Sequence, residues 1–389
     1  MLLYLHIPYC ASKCPYCAFN SFAGRHDAAK YMVALRQQLV YELERFGATA
    51  GSIETLYIGG GTPSTVAPEH YAPVLDTVRP WLRDGAEITA EANPNSATSD
   101  WLRGMHDLGV NRLSFGVQSF DPAKLKTLGR THTPKAAIRA IRTAAEIGYA
   151  HLSLDLIYNV AGDTEAQLKR DIDTAMSLPI DHLSAYELTL EANTPFAATP
   201  HLRQENDTLA FFVADTIQAH GFEHYEISNF GMHPSQHNLG YWQLHNYIGA
   251  GAGAVGFRGL TSNDSSRSDE SFAGLTPFEL TSLTEYGIRS TEYGTTHLAT
   301  RYYPQTNIDA YIQNPLAIRE EHLAADDLLT ERIFLGLRSR VGIERRILPA
   351  SIRTRADLLV RESKLTATET HYHNPNLFLA DEIALFLVS

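Results

Sequence analysis

From Leu2 to about Ile227 one pattern recurs: a short β-rich run, a few turn residues, then a longer stretch with helical periodicity. The runs are LLYLHI, IETLYI, AEITAEA, NRLSFGV, HLSLDLIY, DHLSAYEL and FEHYEIS. Between them, segments such as KYMVALRQQLVYELERF and PKAAIRAIRTAAEIGY space apolar residues near i, i+3, i+4 and i+7, as amphipathic helices do. Strands that alternate with helices build βαβ units and a parallel sheet. Six or seven such units predict an α/β fold, a partial or full (β/α) TIM-like barrel, whose reactive groups sit on loops at the C-terminal ends of strands. The loops agree with that rule. HIPYC follows the first strand, GGGTPS the second, EANP the third and GVQSF the fourth, and Asp155 lies near the end of the fifth.

Past residue 228 the alternation weakens. HNLGYW (237–242) precedes YIGAGAGAVGF (247–257), whose glycines predict a close backbone approach, and TSNDSSRSDES (261–271) reads as an exposed loop. DDLLTERIFLGLRSRVGI (326–343) predicts an amphipathic helix ending in glycine, and IALFLVS closes the sequence. A chain of 389 residues exceeds what one hydrophobic core usually holds. Three units are expected: the barrel over 1–235, an extension packed on it over 236–300, and a small α-rich C-terminal domain over 301–389.

All three cysteines, Cys10, Cys14 and Cys17, fall within eight positions. An odd number in so short a window suits metal binding in a reducing cytoplasm rather than a disulfide framework. A net charge of −12 disfavours nucleic acid as a partner. No run of ~18 apolar residues and no basic segment ahead of MLLYLHI is present, so neither a transmembrane span nor a signal peptide is expected. Structural zinc wants four ligands. A cubane iron–sulfur cluster on three cysteines instead leaves one iron open to a substrate. Zinc completed by His6 or His26, or three unrelated core residues, are the alternatives.

Cys10-ASK-Cys14-PY-Cys17 resembles the signature of the radical S-adenosylmethionine (SAM) enzymes. YLHIPYC, YIGGGTPS, EANP, RLSFGVQSF and DLIY resemble the branch that holds the anaerobic coproporphyrinogen III oxidases and the haem chaperones. The resemblance implies a [4Fe-4S] cluster on the three cysteines and SAM at its open iron. It also implies SAM contacts for Tyr4 and Tyr16, for the turn of Gly59, Gly60, Gly61 and Thr62, for Glu91 and Arg130 beside the charged parts of SAM, and for Gln118 and Asp155 on its methionine and ribose side. Glu91 and Asp155 can also be read as ion-paired carboxylates, and the glycines as an ordinary turn. Where relatives usually read DLIYGLPG, Asn159 and Ala161 stand here in place of a glycine and a proline, which puts the geometry of that loop in question.

HNLGYW resembles the H-N-x-x-Y-W motif of the haem chaperones. It implies haem ligated by His237, with Tyr241 and Trp242 packing on the macrocycle; neutral imidazole is a standard haem ligand and flat rings suit a porphyrin. The alternative is a structural turn with His237 hydrogen-bonded in the interior. The expected function is that of a cytoplasmic haem chaperone, monomeric or homodimeric, that binds the cluster, SAM and haem and passes haem to apo-haemoproteins such as membrane respiratory enzymes. The alternatives are an oxygen-independent coproporphyrinogen III oxidase and a radical reaction on another substrate. The oxidases typically carry a further cysteine just past the third and a long N-terminal extension. Here Ala18 and Phe19 follow Cys17 and Tyr4 is reached at once, so the chaperone reading is favoured.

Overall fold

The computed structural model describes residues 1–25, 27–259 and 298–389; His26 and the loop expected over 261–271 lie outside the described residues. One large sheet carries β1 (Leu2–Ile7), β2 (Ile53–Gly60), β3 (Leu82–Ala92), β4 (Arg112–Gln118), β5 (His151–Tyr158) and β6 (His182–Glu187). It continues through β7 (Glu223–Glu226), β8 (Asn229–Gly231), β9 (Tyr247–Ala250), β10 (Gly256–Gly259), β11 (Ala299–Pro304) and β12 (Ile318–Leu323). Their spatial order is β12-β11-β10-β9-β1-β2-β3-β4-β5-β6-β8-β7. β1 to β6 run parallel, each beside the next, and β9 lies parallel on the other flank of β1. The sheet is open, its ends being β12 and β7, so the parallel part is a partial barrel. Leu2, Leu3, Leu5 and Ile7 are all buried, as expected of a strand covered on both faces.

The crossovers are α1 (Ala28–Arg45), α2 (Pro68–Val78), α3 (Ser99–Asp107), α4 (Pro122–Thr127), α5 (Pro134–Ile147), α6 (Glu165–Met176) and α7 (Asp207–Ala219). Their ends are written in the sequence. In α5, Thr133 caps the first turn by accepting from Ala136 N, Pro134 opens the helix, and Gly148 leaves it in the left-handed region. The seventh expected unit does not extend the parallel series. β7 and β8 form an antiparallel hairpin against β6, because only Ile227 and Ser228 separate them, far too few for a parallel crossover.

After α8 (Gln236–Trp242), the glycine-rich run makes β9, a turn and β10. The expected close approach is real: a Cβ on Gly249 would lie 1.9 Å from the Val255 carbonyl oxygen. β11 crosses the boundary expected at residue 300 and pairs with β10 and β12. α9 (Ile308–Gln313) packs on α1. A separate small core, from Ile333 to Leu387, is enclosed by α10 (Ala325–Leu337), α11 (Ala350–Arg361), α12 (Ala380–Val388) and three short strands. The helix expected over 326–343 therefore ends early, at Leu337. The chain then turns through Gly342 at φ +74°, so that Ile343 can enter the short strand pairing.

Gly249→Ala is expected to lower stability by about 1–3 kcal/mol, since neither the side chain nor the Val255 backbone can give way. An unchanged midpoint in thermal denaturation would contradict that packing.

Candidate functional site

The parallel strands point their C-terminal ends at one mouth. β1 runs out into the cysteine loop, which closes on itself: Tyr9–Cys10 pairs in parallel with Phe22–Ala23, Cys17 N donates to Cys14 O at 3.1 Å, and Lys13 Nζ donates to Phe19 O at 3.0 Å. Asn20 pins the loop to the β9–β10 turn by donating to Ala252 O at 2.8 Å. The glycine turn after β2 packs on the same loop. Gly61 N donates to Ile7 O at 2.8 Å, Thr62 N donates to Tyr9 O at 2.7 Å, and Thr62 Oγ1 sits 3.4 Å from Cys10 Sγ. Gly60, at φ +114°, would drive a Cβ to 2.6 Å from the His6 ring, and a Cβ on Gly61 would meet Tyr9 O at 2.7 Å. Part of the reason for glycine here is thus the approach of the chain's own cysteine loop.

Burial raises the Cys17 thiol above its ordinary value, and the Cys14 and Cys10 sulfurs raise it further. Arg130 Nη1 lies 3.3 Å from Cys14 Sγ and its Nη2 donates to Gly116 O at 2.6 Å, while its Nε finds no partner among the described residues. Three thiols on one loop give a cubane three protein ligands and leave its fourth iron open. The residues therefore fit a [4Fe-4S] cluster.

Two carboxylates share the mouth. Glu91 Oε1 accepts from Tyr57 OH at 2.9 Å and Oε2 from Gly60 N at 3.1 Å; burial, and then Asp155, push its carboxyl up to about 7. Asp155 accepts from Ser114 Oγ at 3.3 Å, and burial raises it to about 6. Two desolvated carboxylates at one mouth suit a positive or hydroxyl-rich ligand. Gln118, at the end of β4, is held at φ +69°, a left-handed backbone that costs a non-glycine residue roughly 1–2 kcal/mol. Tyr4 OH bonds His6 Nδ1 at 2.9 Å, and the Tyr16 ring lies against Phe196. In the NVAG loop Asn159 takes φ +62°, a region that Asn tolerates, and donates to Glu187 Oε1 at 3.1 Å.

HNLGYW forms α8, capped by Ser235 and by a residue the sequence did not flag. Glu87 accepts from Gln236 N and His237 N, both at 3.1 Å, with its negative charge at the positive end of the helix. His237 is buried, with Nδ1 2.7 Å from Thr55 Oγ1 and Nε2 2.9 Å from Tyr241 OH. Burial, and then Arg112, lower it to about 3, so the imidazole is neutral. A cavity of about 650 Å³ opens beside it, running from Tyr4, Gly60 and Glu91 to Tyr241, Tyr247 and Phe334. Of HNLGYW only Tyr241 lines this cavity; His237 and Trp242 do not, and the Trp242 carbonyl accepts from Arg332 at 3.0 Å. Sequence reading gave His6 only as an alternative zinc ligand, and missed Asn20 and the cavity walls from β11 and α10. The one available signal was Gln38 on the core stripe of α1, whose Oε1 accepts from Gly251 N at 2.9 Å and Tyr311 OH at 2.7 Å.

Comparison with known proteins agrees with this geometry. The family model of the radical SAM superfamily matches residues 4–175. "Heme chaperone HemW" of Bacillus subtilis is 32% identical over 358 residues, spanning 88% of this chain and 84% of that one. The Escherichia coli protein of the same name is 40% identical over 266 residues, 65% of this chain and 69% of that one. Among solved structures, E. coli coproporphyrinogen III oxidase (HemN), a radical SAM enzyme, superposes with a TM-score of 0.74 at 19% identity, over 100% of this chain and 90% of that one, and so shares the fold.

Glu91 sets a pH dependence. Between its ordinary value near 4.5 and about 7, the folded chain keeps a proton that the unfolded chain has released, so stability is greatest below that window and is lost as pH rises through it. Thermal melts of the cluster-free protein from pH 5 to 8 are expected to fall, and Glu91→Gln to flatten the slope. An unaltered slope in the variant would assign the effect elsewhere.

Proposed function

We propose, for a chain that belongs to the radical SAM superfamily and within it to the HemW family, that the mouth holds a [4Fe-4S] cluster and SAM, and that the adjoining cavity takes haem for transfer to apo-haemoproteins. The observation that carries this reading is the continuity of the cavity, which runs from Glu91 and Tyr4 to Tyr241 in one space. Identity of 32% to a haem chaperone across most of both chains supports it.

Cys10, Cys14 and Cys17 are the proposed cluster ligands, and the cluster when bound would supply an iron with a position open to SAM. Arg130 donates toward Cys14 Sγ and helps to position it. Glu91, desolvated and raised, is the proposed partner of the SAM ammonium, since a carboxylate facing an ammonium makes a charge-assisted bond. Gly60, Gly61 and Thr62 offer backbone to the same end, Asp155 accepts from ribose hydroxyls, and Gln118, Tyr4 and Tyr16 complete the walls.

For haem, the cavity volume falls in the range of pockets that enclose cofactor-sized ligands. Its apolar rings suit a macrocycle, and Arg301 and Arg338 on its lining suit propionates. His237 is already in the neutral form that ligates iron, but Tyr241 OH occupies its Nε2. Ligation by His237 requires Tyr241 to swing away, with Trp242 following on the same helix. No described helix is long and apolar enough to cross a membrane.

The test is anaerobic reconstitution followed by haem titration on the Soret band. Cys10→Ala is expected to lose the iron and the brown chromophore, and the wild type to bind about one haem. Tyr241→Phe, which frees Nε2, should bind at least as well as wild type, while His237→Ala should bind at least about tenfold more weakly, the loss of one ligand. Wild-type affinity in His237→Ala would make that residue structural. A wild type that binds no haem but decarboxylates coproporphyrinogen III would overturn the chaperone reading.

A further inference from the structure

We propose that His151, Asp181 and His233 form a zinc-type divalent metal site at the end of the sheet opposite the cysteines. Each offers one ligand atom, and the three atoms lie within 4.8 Å of one another. They come from three places in the chain: His151 opens β5, Asp181 sits in the turn just before β6, and His233 lies two residues beyond β8. His151 is four residues ahead of Asp155 on the same strand, about 13 Å at ~3.3 Å per residue, so this group is separate from the SAM mouth.

The ligands are held before any metal arrives. Asp181 is stapled on both sides: its N donates to Leu152 O at 3.1 Å, its Oδ1 accepts from Leu152 N at 3.3 Å, and its carbonyl accepts from Met232 N at 2.9 Å. Gly231 lets the exit of β8 pass this close, since a Cβ there would already press on Asp181 O and the His182 ring at 3.1 Å. His233 precedes Pro234, which confines its backbone to extended conformations. Its ring centroid lies 4.9 Å from that of His151.

Two imidazoles and one carboxylate are the donor set of three-ligand zinc sites, which keep a fourth position open. His151 Nδ1 and Asp181 Oδ2 now share a hydrogen bond of 2.6 Å. Tetrahedral ligands ~2.0–2.2 Å from zinc stand roughly 3.3 Å apart, so the pair opens by less than about 1 Å. The metal takes the place of the bridging proton, and His151 ligates through Nδ1 as a neutral imidazole with its proton on Nε2. His233 is exposed, so the site is open to ions from solution. If the pair were only a histidine–carboxylate hydrogen bond, His233 would contribute nothing to it. With metal bound, His233 anchors the strap that continues through Pro234 and the cap Ser235 into α8, four residues short of His237.

The test uses the full chain, anaerobically loaded with its iron, dialysed against buffered Zn²⁺ and measured by elemental analysis and thermal melting. The wild type is expected to hold about one zinc and to melt higher with it. His233→Ala, whose side chain is exposed, and Asp181→Asn should each weaken binding at least about tenfold and abolish the rise in melting temperature. His371→Ala, at the unrelated histidine pair with His373, should behave as wild type. Zinc uptake that persists in His233→Ala and disappears in Cys10→Ala would overturn the proposal, as would a wild type that takes up none. Melting without zinc checks that each variant is folded.

Discussion

Two backbone hydrogen bonds, Gly61 N to Ile7 O and Thr62 N to Tyr9 O, join the exit of the first strand to the exit of the second. The placement of every sulfur depends on them. The cysteine loop leaves β1 within three residues of Ile7, so its position is set by whatever fixes Pro8 and Tyr9. Glycine is needed because the approach leaves no room: the His6 ring fills the space beside Gly60, and the Tyr9 carbonyl the space beside Gly61. The second strand end also lends Gly60 N to Glu91 on the third, so one turn orients both the sulfur loop and the carboxylate. Three strand ends thus become a single rigid surface without any disulfide.

That surface is electrostatically unfinished. Glu91 is raised by burial and by Asp155, Asp155 is raised by burial against the pull of Arg130 and Arg112, and Arg130 hydrogen-bonds Cys14 and Gly116. A protein interior tolerates such groups where a ligand completes them, and the cost is borne by stability elsewhere. Gln118 in the left-handed region is of the same kind, a strained residue at a strand end facing the site. Strain and desolvation together mark the mouth as a place selected for binding rather than for packing.

The parallel series and its mouth were legible because strand and helix periodicities alternate, and a strand end can be read from where period two gives way to turn residues. Asn159 looked like a departure only because the backbone angle it must adopt is not written in a letter; its φ of +62° does what glycine does. Two things were hidden. Hairpin or crossover after the seventh run depended on the two-residue gap at Ile227 and Ser228, which the run FEHYEIS alone does not reveal. Partners far apart in sequence were invisible too: Glu87 caps a helix 150 residues away, and Gln38 serves Gly251 213 residues away. His237 shows the same limit. Its letters suit a ligand, while its surroundings, Thr55 and Tyr241 on its two nitrogens, are a matter of tertiary contact.

The two halves of the site meet at one side chain. Tyr57 donates to Glu91, lies 6.2 Å from the Tyr4 ring and packs 5.2 Å from the His237 ring, which in turn bonds Tyr241 at the cavity wall. A hydrogen bond to a carboxylate is stronger than one to a neutral acid, so the grip on Tyr57 varies with the charge of Glu91. Contiguity of this kind transmits a signal only if an element has two positions that both ligands bias. In the structure the Tyr241 hydroxyl occupies His237 Nε2, and the proposed haem ligation would need that contact released. Tyr57 stands behind that histidine, so whatever neutralises Glu91 on one side and whatever displaces Tyr241 on the other act on the two faces of a single aromatic stack.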